Sequence, residues 1–172
     1  WMDKGIEPVP ISVNISREYI HTFDVVGEML HLVNKYDIPI KLLELEITET
    51  TDSEGVSDVV QKMKDAGFTM LMDDFGSGYS SLNMLQKTQF DVLKIDRGFL
   101  SEFMESSRGR KIISHTISMS RDIGLDIIAE GVETPEQASF LSDCGCDSAQ
   151  GFYYSKPITQ EEFDKMLVEV NK

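Results

Sequence analysis

Apolar residues along the chain gather into six short runs, each of strand length: Ile11 to Ile15, Leu42 to Thr48, Phe68 to Asp73, Asp91 to Ile95, Asp126 to Ala129 and Ser148 to Tyr154. They are rich in Val, Ile, Leu, Phe and Tyr, side chains that pack well on a pleated surface. Between the runs the periodicity becomes helical. Phe23, Val26, Leu30 and Val33 recur at intervals of 3, 4 and 3, and Ile112, Thr116, Met119 and Ile123 at 4, 3 and 4, so each set predicts one buried stripe. Thr134-Pro135-Glu136-Gln137 and Thr159-Gln160-Glu161-Glu162 read as capping boxes, the first with proline at the first helical position. Phe163, Met166, Leu167 and Val170 continue the second, while Gly67, Gly124 and Gly145 stand where three helices should stop.

Strand and helix alternating six times predicts a parallel sheet covered by helices, either an open doubly wound sheet or a barrel. Polar residues favour the barrel. Asn14, Glu46, Asp73, Lys94, Glu130 and Gln150 each lie at or near the C-terminal end of one apolar run. A barrel brings those ends to a single mouth, where barrel enzymes keep their chemistry, whereas an open sheet spreads them out. A complete (β/α)8 barrel takes about 250 residues, so six units in 172 leave two unaccounted for. We therefore expect residues 1–172 to be the C-terminal three-quarters of a single TIM-like barrel whose first units precede Trp1, with no second domain visible within them.

Composition narrows the classes of function. A hydrophobic fraction of 41% with 5 prolines and 12 glycines is that of a chain able to build a core. Sixteen Lys and Arg against 30 Asp and Glu give a net charge of −14, which repels DNA, RNA and anionic membranes. An anionic substrate would need a cation brought to it. Cys144 and Cys146 are too few and too close to form a disulfide framework, and a zinc site would need more ligands. No apolar run reaches membrane-spanning length and the start has no signal-peptide pattern, so the expected location is cytoplasmic, with any membrane attachment through other parts of a longer protein.

Glu46, Asp73, Asp74 and Glu130, with the carbonyl oxygen of Asn14, form an oxygen-rich set of the kind that selects hard divalent cations. One acidic residue at a strand end is usually just solvated; five or six in the same place of successive repeats are not explained that way. Adjacent Asp73 and Asp74 would face opposite sides of a regular strand, but at a strand end the second can turn with the loop, letting the pair reach two metals. Two ions about 4 Å apart suit phosphodiester hydrolysis. Lys94 is placed to orient the water or neutralise phosphate charge. Gly76-Ser77-Gly78-Tyr79-Ser80-Ser81 reads as a mobile, backbone-rich loop beside them. Asp74-Phe75-Gly76 matches the kinase metal-binding triplet, but the other kinase motifs are missing and that reading is rejected. His21, His31 and His115 lie at unrelated helical positions and read as structural.

Ser12-Val13-Asn14-Ile15-Ser16, Leu45-Glu46-Ile47-Thr48-Glu49, the segment Asp73 to Leu82, Leu93-Lys94-Ile95-Asp96, Ala129-Glu130-Gly131-Val132-Glu133-Thr134 and Gln150-Gly151-Phe152 occur in an order and spacing that resembles the EAL-domain family over essentially the whole chain. That resemblance implies a cyclic di-GMP phosphodiesterase on a TIM-like barrel, giving linear pGpG with Mg2+ or Mn2+, two ions in all. By position it implies Asn14, Glu46, Asp73, Asp74 and Glu130 as the metal shell. Lys94 would hold or activate the water, with Glu130 and Asp73 sharing in catalysis. Gln150, Ser77, Gly78 and Tyr79 would form the substrate rim, and Glu49 would anchor the loop after Asp74. The loop itself is implicated in dimer contacts, so a homodimer is expected. Ser77 replaces the commoner Thr and keeps the hydroxyl.

The glutamate and arginine of the family's Glu-Ala-Leu region are not in this chain and would lie several dozen residues before Trp1. The expectation is thus an active phosphodiesterase for the parent and little or no turnover by residues 1–172 alone. The alternative is a catalytically inactive cyclic di-GMP receptor or protein-interaction module. It is disfavoured because Glu46, Asp73, Asp74, Lys94 and Glu130 are all retained.

Overall fold

The computed structural model describes residues 1–22, 24–48, 55–78 and 81–170. In chain order the elements are β1 (Ile11–Asn14), α1 (Arg17–Thr22), α2 (Val25–Lys35), β2 (Leu43–Thr48), α3 (Val56–Asp65), β3 (Thr69–Phe75), α4 (Ser81–Lys87), β4 (Val92–Ile95), α5 (Arg97–Met104), α6 (Ser107–Asp122), β5 (Asp126–Ala129), α7 (Pro135–Asp143), β6 (Ser148–Ala149) and α8 (Gln160–Val170). Among the described residues the strands make one sheet in the order β1 to β6, every neighbouring pair parallel. Parallel neighbours need a crossover, and the helices supply it. The result is a partial TIM-like (β/α) barrel.

Strand alternation divides the two faces. Leu45 and Ile47 of β2, Met70 and Met72 of β3 and Leu93 of β4 pack outward into a core with Val56, Val60 and Met63 of α3. Ile95, Ile127 and Ala129 do the same with Leu100 of α5, Ile113 and Ile117 of α6 and Leu141 of α7. The intervening residues, Ser12, Asn14, Glu44, Glu46, Asp73, Lys94 and Ile128, therefore share the inner face of the sheet. At the two ends of the chain, the Trp1 indole N–H donates to Asp164 at 2.5 Å and its ring lies 5.8 Å from Phe163, joining the N-terminus to α8.

Both expected capping boxes are present. Thr134 accepts from the Gln137 N–H at 3.2 Å while the Gln137 side chain accepts from the Thr134 N–H at 3.1 Å, and Thr159 and Glu162 pair in the same reciprocal way. Gly67, Gly124 and Gly145 follow α3, α6 and α7 at φ 99°, 85° and 82°.

Three expectations are corrected. The sixth run is a strand only over Ser148–Ala149, because the Tyr154 and Ser155 N–H groups donate to the Gly151 carbonyl and fold the rest into a turn. The third strand continues past Asp73 to Phe75. The buried stripe of α6 is Gly109, Ile113, Ile117 and Ser120, not the set containing Ile112, Met119 and Ile123. Its phase is set by Gly109, whose absent side chain lets α6 close on the Phe103 carbonyl of α5; a Cβ there would lie 2.0 Å from that oxygen. Ser120 joins the stripe because its hydroxyl donates to the Thr116 carbonyl at 2.8 Å. A stripe chosen by apolarity skips both residues. Phe23 of the predicted α2 stripe lies outside the described residues, and α2 starts at the Asp24 cap.

The corrected phase predicts unequal costs for two adjacent truncations. Ile113→Ala, at a fully buried site, should lower unfolding free energy by about 2 to 5 kcal/mol. Ile112→Ala, where the side chain is 39% exposed, should stay within about 0.5 kcal/mol, both read from urea denaturation.

Candidate metal centre

Lys94 is the hub of the inner face. Its Nζ lies 2.8 Å from Glu46 Oε1, 2.9 Å from Asp73 Oδ1 and 2.7 Å from Glu130 Oε1, so an ammonium with three donors meets three carboxylates, from β2, from β3 and from the residue just past β5. Lys94, Glu46 and Asp73 are buried. Gln150, just past β6, donates from Nε2 to the same Glu130 oxygen at 2.7 Å. Burial pulls the Lys94 ammonium toward neutrality, but contacts with Glu130, Glu46 and Asp73 outweigh it and hold the group well above the usual lysine range.

Asp73 and Asp74 reach one site through a β-bulge. Met72 pairs with Leu93 and Phe75 with Ile95, so the two aspartates together stand opposite Lys94. Asp74 takes a left-handed conformation, φ 59°, which costs about 1 to 2 kcal/mol for an L-residue and is better tolerated by Asp than by most. The bulge thus does what a loop was expected to do, inside the strand. Among the described residues, ligand oxygens of Asp73, Asp74 and Glu130 all lie within 4.8 Å of one another.

This set fits a hard divalent cation. All its donors are oxygen, and four carboxylates, Glu46, Asp73, Asp74 and Glu130, face one lysine. Asp73 Oδ1 is buried without a hydrogen bond, its contact with Lys94 being an ion pair that lacks hydrogen-bond alignment. Burial, reinforced by Asp73 and Asp96, raises the Asp74 carboxyl; burial also raises Glu130, against the opposing effect of Lys94.

The other expected site residues are less closely joined. Asn14 is exposed and stands beside Glu46 in the β1–β2 register. Ser77 and Gly78 are exposed beyond the bulge, the Ser77 N–H donating to the Asp74 carbonyl at 3.0 Å. Glu49 and Tyr79 lie outside the described residues. Sequence reasoning did not mark Arg97, which lines a 490 Å³ cleft with Glu130, Gln150 and Phe152 and pairs with Glu133 at 2.7 Å. The signal was its place at the mouth, three residues after Lys94.

The EAL domain model matches residues 1–157. This chain belongs to the EAL domain family. It is 34% identical over 172 residues to signaling protein YkoW of Bacillus subtilis, covering 98% of this chain and 21% of that protein. The EAL domain of Mycobacterium smegmatis DcpA superposes with a TM-score of 0.91 at 32% identity, over 98% of this chain and 78% of that one. A Pseudomonas aeruginosa MucR phosphodiesterase solved as a complex with c-di-GMP gives a TM-score of 0.85 at 34% identity, over 95% of this chain and 67% of that one. The chain spans between about a fifth and three-tenths of the length of the curated relatives it matches.

In this EAL domain, Lys94→Ala would leave three carboxylates without their counter-charge. Without divalent ions it should lose about 3 to 5 kcal/mol near neutral pH. Removing the lysine takes away the contact that lowers the Glu130 carboxyl, so part of the loss should return as pH falls, and added Mn2+ should return more; thermal melts at several pH values read both effects.

The raised carboxyls of Asp74 and Glu130 set a second pH dependence. A carboxyl raised on folding binds protons more readily in the folded state, so its unfavourable contribution is present above the folded pKa and is relieved as pH falls through it. Protons and metal compete for the same oxygens. Stabilisation of the wild-type protein by Mn2+ should therefore be greatest near neutral pH and fade on acidification, starting above the usual carboxylate range, as read from Tm between about pH 5 and pH 8.

Proposed function

We propose that the full-length protein hydrolyses cyclic di-GMP to linear pGpG, using two Mg2+ or Mn2+ ions, at the cluster centred on Lys94. The observation that carries this reading is the Asp73–Asp74 bulge facing a buried lysine and Glu130, in a chain of the EAL family with a relative named as a phosphodiesterase in complex with c-di-GMP. Asp73, Asp74 and Glu130 would hold the ions, with Glu46 and Asn14 completing the shell. Bound divalent ions supply a more acidic water and neutralise phosphate charge.

The protein's own groups have separate tasks. Glu130, its carboxyl raised by burial, is suited to take a proton from the attacking water. Lys94 orients that water or meets the phosphodiester charge, and Gln150 fixes the rotamer of Glu130 through its amide. By the family resemblance Glu49 would anchor the loop after Asp74, and Ser77, Gly78 and Tyr79 would border the substrate. The cleft beside Glu130 offers an exposed Phe152 on which a nucleobase can stack.

The reading includes a homodimer, a cytoplasmic location and a single barrel domain. The dimer is supported by a 1080 Å³ outward groove whose walls include Phe75, Leu82, Phe99 and Ile112. Among the described residues no helix is long and apolar enough to cross a membrane.

Incubation of the full-length protein with cyclic di-GMP and Mg2+ or Mn2+ should yield pGpG, while residues 1–172 alone should turn over little. Asp73→Asn should lower kcat by about a hundredfold or more with the melting curve retained. Wild-type rates in that variant would refute the role of Asp73. Binding without turnover by the wild-type protein would make it a receptor instead.

A further inference from the structure

We propose that Phe99 is a positioning residue for Asp74, setting the direction of the second aspartate through Gly76. The proposal rests on the reading of Asp74 as a metal ligand. Asp74, at φ 59°, is followed two residues later by Gly76 at φ 96°, and the ring of Phe99 fills the space a side chain at position 76 would need. A Cβ on Gly76 would lie 2.4 Å from Cδ2, 2.7 Å from Cγ and 2.9 Å from Cβ of Phe99. The ring and the glycine therefore fit as a pair, and the turn between them, closed by the Ser77 N–H on the Asp74 carbonyl at 3.0 Å, has little room to move.

Phe99 is itself fixed in place. Asp96 caps α5 by accepting from the Gly98 N–H at 2.5 Å and the Phe99 N–H at 3.2 Å, and the Asp96 N–H donates to the Phe75 carbonyl at 3.2 Å. The ring meets Phe75 edge-on at 6.0 Å and stacks on Phe103 at 4.4 Å. The end of β4, which carries Lys94, thus also braces the bulge of β3. A residue at positive φ keeps its rotamer direction only while its neighbours hold the backbone there. Phe99 does this for Asp74 without touching the site.

The test is Mn2+ alone as probe, titrated against the full-length protein, with the midpoint read by thermal shift and by the electron paramagnetic resonance of free Mn2+. Phe99→Leu should raise the midpoint about tenfold, the usual effect of disturbing the support of a ligand. In an Asp74→Asn background it should raise it no further, because both substitutions act on one ligand. An unchanged midpoint, or the same tenfold rise added to that of Asp74→Asn, would overturn the proposal. An Asp74→Asn midpoint equal to wild type would instead overturn the metal-ligand reading on which it rests. If Phe99→Leu does not fold, Phe99→Met keeps the bulk, removes the flat ring and carries the same expectation. Phe103→Leu, which disturbs the stack away from Gly76, should lower Tm and leave the midpoint alone; a shift as large as that of Phe99→Leu would show general loosening and overturn the proposal.

Discussion

The constraint on which the inner face depends is electrostatic: carboxylates on the sheet's inner surface repel one another, and Lys94 is the cation that lets three of them stay together. Its three contacts, all between 2.7 and 2.9 Å, tie β2, β3 and the end of β5 to β4. An arrangement of this kind is weak evidence for stability, since removing four ionic groups from water offsets much of their attraction. What it secures is direction. Each carboxylate is held by a partner, so the cluster is pre-ordered and cations do not have to gather it from solvent.

The covering helices make that order possible. Outward residues such as Leu45, Ile47, Met70, Met72 and Leu93 bury against the helices, so the register of every strand is fixed by the apolar face and the polar face follows. A one-residue slip in β2 would put Leu45 where Glu46 meets Lys94. Chemistry and packing are two readings of one alternation.

The sequence displayed the architecture because the rules it uses are local: each of the six runs contains a strand, and both capping boxes and the three glycine helix ends appear where the pattern of residues placed them. The recurrence of Asn14, Glu46, Asp73, Lys94, Glu130 and Gln150 at run ends made the mouth legible before any coordinates. The less legible parts turn on contacts between elements. The phase of α6 depends on Gly109 meeting the Phe103 carbonyl, the end of β6 on hydrogen bonds to Gly151, and Arg97 becomes notable only once the cleft beside Glu130 exists. The bulge at Asp73–Asp74 belongs to the same class: that both aspartates reach one site was expected, but that they do so by a bulge inside β3 depends on its pairing with β4.

That bulge sets irregularity against regularity in β3. Deleting one residue between Met72 and Phe75 would give β3 and β4 an unbroken ladder and remove a left-handed aspartate, both improvements by the ordinary rules of sheets. It would also leave a single aspartate opposite Lys94. A chain of this kind can therefore become a better sheet and a poorer cation site by the same change, and selection for fold stability alone would tend to erase its second carboxylate.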